Sequence, residues 1–429
     1  MTIYQTETNR VVVTGIGVVA PLGIGKDQFW KNAIRGQSYI VGDPEMESMG
    51  IKSKALCRID DFNLADYCSG DEFEHLHEQD RVVQLGVVSG SMAIADSGLD
   101  FAQEDPESLG IIFSSAIGGT PYIQKIFELV SDRGKSPIRH MPVGENFYNA
   151  GMFNYSAGLL AKKHGIEGAC TSLSTGCTAG LDALGLSVEM IRSGEAKVML
   201  AGATEAPLTS LTYATLDVIG SLSVSDCEPE KASRPFDVKR AGFVISEAAA
   251  VLVLEELDHA LARGAHIYAE VIAYSSVSNA FHMTDLPDHG IPMAMVVERA
   301  MAQGDVQPED VDYINAHGSS TPQNDLFETN AYKKVLGEHA YKIPISSTKS
   351  MIGHSLSSAS LVGVVATLGA IELSMVHPTA NYEFPDPLCD LDYVPNEARA
   401  HNVDTAMLTA SGFGGIHSAA ILRKYGVEA

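Results

Sequence analysis

Positive charge is what this sequence has least of: 29 Lys and Arg stand against 54 Asp and Glu, for a formal net charge of −25. That excludes a general nucleic-acid binder, which needs basic surface to neutralise phosphates. An anionic partner would have to be met by a local basic patch rather than by the overall field. Cysteine is also sparse, six in 429 residues, at positions 57, 68, 170, 177, 227 and 389. None forms a CxxC pair or a metal-type spacing, so a reduced, cytosolic compartment with no structural metal is expected. Long apolar runs are missing too: Gly, Ser or a charge breaks each of them, which argues against a membrane span. The opening residues 1–9, MTIYQTETN, have neither a basic segment nor an apolar one, so no signal peptide is expected.

What is present is an ordinary globular composition, 45% hydrophobic and 19% charged. The length suits two fused half-domains sharing a large core. Short β-rich runs alternate with helical patterns, which predicts a layered α/β fold. The strand candidates are Arg10–Gly15, Leu109–Ser114, Lys197–Gly202, Ala249–Glu255, Ala269–Tyr274, Val311–Ala316 and Ala406–Ser411. The polar stretch Ser223–Arg234 reads as a surface loop. We place the division between halves after the strand ending at residue 255, giving segments 1–255 and 256–429.

The halves echo each other. STGCTAGLDALGLSVEMIRSG (174–194) and SMIGHSLSSASLVGVVATLGAIEL (350–373) both run from a Gly through a reactive side chain into a small-residue helix start. Cys177 and His354 occupy equivalent places, which predicts an internal duplication. The second helix is apolar on nearly all faces (Leu361, Val362, Val364, Val365, Leu368, Ile371), and a helix hydrophobic all round is buried. One such helix per half predicts a buried helical layer between two sheets, a five-layered αβαβα fold.

Cys177 follows Ser174-Thr175-Gly176 and opens a helix whose apolar positions are Leu181, Leu184, Val188 and Ile191. A helix N-terminus is expected to lower its thiol pKa, and Gly176 and Gly180 to leave room for a substrate. Alone, a Cys in such a corner is a small apolar filler. Two histidines change the reading: His317 follows a strand in NAHGSST, and His354 opens a helix in STKSMIGHS, with Lys349 upstream. Both sit among Gly and small polar residues, a context for sites rather than cores. A zinc set of one Cys and two His would tie up the thiolate and lacks a fourth ligand. The tail SGFGGIHS (411–418) can present a backbone N–H to an oxyanion, as acyl transfer requires.

STGCTAG, RPFDVKRAGFVISEAAAVLVLE, NAHGSSTPQND, STKSMIGH and GFGG, in that order and spanning nearly the whole chain, resemble the β-ketoacyl synthases of the thiolase superfamily. STGCTAGLDALG, SNAFHMTDL and PTANYEFPDPLCDLDYVP are most similar to the catalytic ketosynthase subunit of type II polyketide synthases. The resemblance implies a decarboxylative condensation with no permanently bound cofactor, its substrates carried on the phosphopantetheine of an acyl carrier protein. Cys177 would accept the growing chain, and His317 and His354 would hold the enolate oxygen of the malonyl unit. Lys349 would act electrostatically and by orienting the histidines, with Glu328 as its partner. The N–H groups of Cys177 and Phe413 would form the oxyanion hole, Phe413 would gate the thiol, and Ser319 and Thr321 would bind pantetheine. It also implies a heterodimer with a chain-length-factor homologue, or else a homodimer. A fatty-acid elongation synthase and a non-catalytic partner subunit are the alternatives; a degradative thiolase would need a second Cys where GFGG stands.

The sequence departs from the family at several points: Ser319 where Thr is usual, Ser246-Glu247-Ala248-Ala249 for GEGA, Ser411 for an aromatic and His417 for Asn. VVVTGIGVVA (11–20) fits a dinucleotide-binding GxGxxA fingerprint, but Pro21, Gly23 and Gly25 interrupt the helix that should follow. For an acidic carrier protein, Lys162-Lys163, Arg234 with Lys239-Arg240, and Lys333-Lys334 are candidate docking clusters, at least one of which should border the entrance. Ile117-Gly118-Gly119 is a candidate border of the acyl pocket.

Overall fold

Among the described residues, ten strands on the main path of one large sheet, divided equally between two halves with one topology, carry the architecture. The computed structural model describes residues 9–139, 143–144 and 146–427; the opening segment examined above for a signal peptide lies, apart from Asn9, outside them. In the first half the strands are β1 (Val11–Ala20), β2 (Leu109–Ser114), β3 (Cys170–Leu173), β4 (Val198–Glu205) and β5 (Ala248–Glu256). In the second they are β6 (Ala269–Ser278), β7 (Tyr313–Asn315), β8 (Ile345–Ser346), β9 (Thr405–Gly412) and β10 (Ile416–Arg423). Their spatial order is β3-β2-β4-β5-β1 and β8-β7-β9-β10-β6, with the two runs joined by β1 against β6. In each half the pairs β2/β3 and β2/β4, or β7/β8 and β7/β9, are parallel, and the remaining pairs are antiparallel. The duplication read from two short segments therefore extends to the whole strand order.

Helices α1 (Arg81–Ser97), α2 (Thr120–Ser131), α3 (Tyr155–His164), α4 (Ala179–Arg192), α5 (Ile291–Gln303), α6 (Pro322–Leu336) and α7 (Ser357–Leu373) fill the connections. α1 and α3 cover the outer face of the first sheet, α5 and α6 that of the second, and α4 packs with α7 between the sheets. The result is the five-layered αβαβα arrangement. The strands obey it residue by residue: Ala248, Ala250, Leu252 and Leu254 of β5 join the central core, while Ala249, Val251 and Val253 face α1. β10 divides likewise, Ala420 and Leu422 to the centre and Ala419 and Ile421 outward. Every residue of α7 from Ser357 to Ile371 is buried, as its all-round apolar sequence predicts.

The GxGxxA segment is strand throughout. A Cβ on Gly15 would lie 2.3 Å from the Ala93 carbonyl oxygen, and one on Gly17 would lie 1.8 Å from that of Ser89. These glycines let α1 approach β1 closely; they do not turn around a phosphate. Gly17→Ala is expected to cost about 1–3 kcal/mol of stability through backbone displacement, measured as a fall in denaturation midpoint with unchanged slope. The stretch Ser223–Arg234 is only in part the surface loop expected. Ala232, Ser233 and Arg234 are buried, and Ser233 Oγ donates to the Lys349 carbonyl at 2.7 Å.

Candidate active site

Two sharp turns, one from each half, deliver the central side chains. After β3, Gly176 adopts φ 66° and places Cys177 in a short turn ahead of α4. After β8, Gly353 adopts φ 69°, where a Cβ would lie 2.6 Å from the Val244 carbonyl oxygen, and places His354 ahead of α7. Both positions need a left-handed backbone that only glycine takes without strain. His354 is then fixed through its own backbone, its N–H donating to Val244 O at 2.7 Å and its carbonyl accepting from Ser246 N at 3.1 Å. Gly180 does not make room for substrate as expected. A Cβ there would meet the Ser357 carbonyl oxygen at 2.8 Å, so this glycine lets α4 pack on α7.

His317 leaves β7 and faces His354, ring centroids 5.2 Å apart with planes at 80°. Cys177, His317, His354 and Phe413 line one cavity of about 350 Å³, whose walls also include Phe243, Ser319, Thr321, Asn324 and Ser411. The sequence-predicted residues are thus brought together. Ser319 and Thr321 share a hydrogen bond of 2.9 Å between their hydroxyls. Phe413 is 38% exposed, on the turn between β9 and β10.

Glu328 supports the charge of Lys349 as expected, but without a direct ion pair among the described residues. Its carboxylate accepts from the backbone N–H groups of His317 (2.9 Å) and Gly318 (2.7 Å), and from Asn324 Nδ2, Tyr332 OH and Thr409 Oγ1. Lys349 Nζ donates to the carbonyl of His317 at 2.6 Å. Glu328 and Lys349 therefore grip opposite polar groups of the same residue and fix where its imidazole stands. Burial, helped by the charge of Lys349, holds both His317 and His354 well below the usual histidine range, so both rings are neutral. Burial also pulls Lys349 down, to about 8, against the raising effect of Glu328.

The Cys177 thiol reverses the sequence expectation. Burial pushes it up, to about 11, and outweighs Lys349 and the N–H of Phe413, which favour the thiolate. A helix start stabilises an anion modestly, whereas taking a thiolate out of water costs more. Iodoacetamide alkylation of the Cys177 peptide is accordingly expected to rise about tenfold per pH unit between roughly pH 6 and 7, where Lys349 keeps its charge. A plateau within that range, read by mass spectrometry, would contradict a raised thiol pKa.

Two buried carboxylates behind the turns escaped the sequence reading. Glu205, at the end of β4, accepts from Ser115 Oγ (2.9 Å), Ala116 N (2.7 Å) and Ser357 Oγ (2.7 Å), and so joins the loop after β2 to the start of α7. Asp182 on α4 accepts from Thr175, Thr178, Tyr274 and Ser418 and braces the Cys177 turn. An acidic residue inside an otherwise apolar strand or helix was their only signal. Ile117 is not part of the cavity wall but packs into the apolar cluster that contains Cys177.

Of the basic clusters, Lys163 pairs with Glu72 and Lys333 with Asp390. Arg234 and Arg240 are held by Glu383 and Asp386. Arg240 also donates to the carbonyl of Pro322, a residue of the cavity wall, so this cluster adjoins the cavity, with Lys239 as its exposed cation.

Comparison with known proteins agrees with this geometry. Residues 8–260 match the family described as "Beta-ketoacyl synthase, N-terminal domain", and residues 268–383 match "Beta-ketoacyl synthase, C-terminal domain". The "Tetracenomycin polyketide synthase ketoacyl synthase alpha subunit" of Streptomyces glaucescens is 44% identical over 97% of this chain and 97% of its own. A solved structure described as "AntDE:AntF (apo): type II PKS acyl-carrier protein in complex with its ketosynthase bound to the hexaketide" superposes with a TM-score of 0.91 at 41% identity, covering 97% of this chain and 100% of that one. "The ishigamide ketosynthase/chain length factor" follows at 0.88 and 29% identity, over 98% and 100%. The chain, with its two glycine-set turns meeting at one cavity, belongs to the β-ketoacyl synthase family of condensing enzymes.

Proposed function

We propose that this chain is the catalytic ketosynthase of a type II polyketide synthase, an acyltransferase that extends a poly-β-ketone by decarboxylative Claisen condensation. The observation that carries this reading is the convergence of Cys177, His317 and His354 on one cavity, with two backbone N–H groups at the sulfur. The Cys177 thiol exchanges with the pantetheine thioester of an acyl carrier protein; the new S–acyl bond forms as pantetheine thiol leaves. A malonyl thioester then enters with its carbonyl oxygen between His317 and His354. Neutral imidazoles donate N–H to that oxygen as the carbon–carboxylate bond breaks and carbon dioxide departs. The enolate carbon attacks the Cys177 thioester carbonyl, whose oxygen is received by the N–H groups of Cys177 and Phe413. Collapse of that intermediate frees the thiol, and the chain, longer by two carbons, stays on the carrier. Ser319 and Thr321 hold the pantetheine arm.

The partner surface fits the same reading. β3 ends the strand order of its half with Cys170 and Thr171 exposed, and α2 carries the exposed apolar side chains Phe127 and Leu129. A chain-length-factor homologue covers this edge, and carrier protein approaches beside Lys239. The test supplies malonyl carrier protein with and without such a partner and reads mass on the Cys177 peptide. Polyketone mass that requires the partner supports the proposal. Condensation by the chain alone on saturated acyl carriers makes it a fatty-acid elongation synthase, and no adduct under either condition makes it a non-catalytic subunit.

A further inference from the structure

Ser411 and His417, the two departures in the tail motif, form one device. They face each other across β9 and β10, one pair back from the Gly412–Ile416 pair that closes the turn carrying Phe413. His417 is fully buried and stacks on Phe327 of α6 with ring centroids 5.2 Å apart. Its Nε2 lies 3.3 Å from Asn279 Nδ2, and its Nδ1 lies 3.0 Å from Ser411 Oγ. The Asn279 amide is oriented by its own oxygen, which accepts the Phe281 N–H at 3.0 Å. Its nitrogen can therefore only donate to His417, and Nε2 must carry the lone pair. Burial brings His417 down to about 4, so the ring is neutral and its single proton resides on Nδ1. Nδ1–H donates to Ser411 Oγ, and the serine's own O–H remains to be spent. Ser411 lines the cavity with Cys177, and among the described residues that hydroxyl has no other partner.

We propose that Ser411 is a specificity-determining residue whose hydroxyl, oriented by His417 and Asn279, donates to a keto oxygen of the chain on Cys177. A saturated chain of equal length offers no acceptor there and leaves the donor unmatched. His417 acts as a positioning residue through Ser411. This rests on the condensing reaction proposed above and adds which chain the cavity prefers.

The experiment compares kcat/KM for condensation with acetoacetyl and butyryl carrier protein, two chains of equal carbon number, in the wild type with its partner and in two variants. Ser411→Ala is expected to lower the ratio of acetoacetyl to butyryl turnover by about 3- to 10-fold. His417→Phe keeps the stacking on Phe327 but removes both hydrogen bonds, and is expected to lower the same ratio. A loss shared equally by both substrates signals general damage to the turn and overturns the proposal, as does an unchanged ratio. A wild type that condenses neither chain overturns the catalytic reading itself, and this inference with it.

Discussion

Cys177→Ala is expected to lower chain extension by about 10⁴-fold or more, as loss of a catalytic nucleophile does elsewhere, while malonyl carrier protein is still converted to acetyl carrier protein. The two results separate because the sulfur takes no part in breaking the bond to carbon dioxide. In the proposed mechanism that bond breaks opposite His317 and His354, whose positions are set by Glu328, Lys349, Val244 and Ser246 rather than by Cys177. Alanine keeps the backbone N–H and relieves a buried, mostly protonated thiol. Carbon dioxide release followed beside product mass measures both halves of the reaction. Loss of both together would mean that Cys177 shapes the malonyl site as well.

Replacing either histidine is expected to give the opposite pattern. His317→Ala or His354→Ala removes one donor to the enolate oxygen, which costs about 10²–10³-fold in decarboxylation. Acyl transfer onto Cys177 should survive and remain visible as a mass shift on its peptide. The double variant should be little worse than either single one, because two donors on one oxygen act as a unit. Since both rings are already neutral near pH 7, decarboxylation should show no loss as pH rises from roughly 6 to 7.5. A rate that falls across that window would identify an imidazolium as the working form and contradict the burial of these two rings.

The sequence was most legible where local chemistry decides structure. Strands β1, β2, β4, β5, β6, β7 and β9 announced themselves by short, mostly apolar runs between helical patterns, and the two turns by glycine beside a reactive side chain. β3 was passed over because its residues Cys170–Leu173 lie at an edge and are half exposed, so no apolar run marks them. β8 has two residues, too few for any period. β10 was hidden because Ile416–Arg423 begins inside a motif read for its glycines. What sequence could not supply is tertiary burial. The helix start at Cys177 pointed to an acidic thiol, and only the packing around it showed that desolvation dominates. The same applies to Glu328, which the family resemblance paired with Lys349. Its five donors come from three separate segments that only the fold assembles.

The shared strand order of the halves has a consequence for how the chain could ever be divided. Each half contributes one helix that begins just after a cavity-lining residue, α4 after Cys177 and α7 after His354. In the proposed mechanism the oxygens that gain negative charge would lie near two positive helix ends, each equivalent to roughly half an elementary charge. A fragment ending near residue 260 would keep the thiol but lose the second field, both imidazoles and the apolar cover of α7. Because the cavity is lined by residues of both halves, either half alone would need the other, supplied as a second molecule, to complete it.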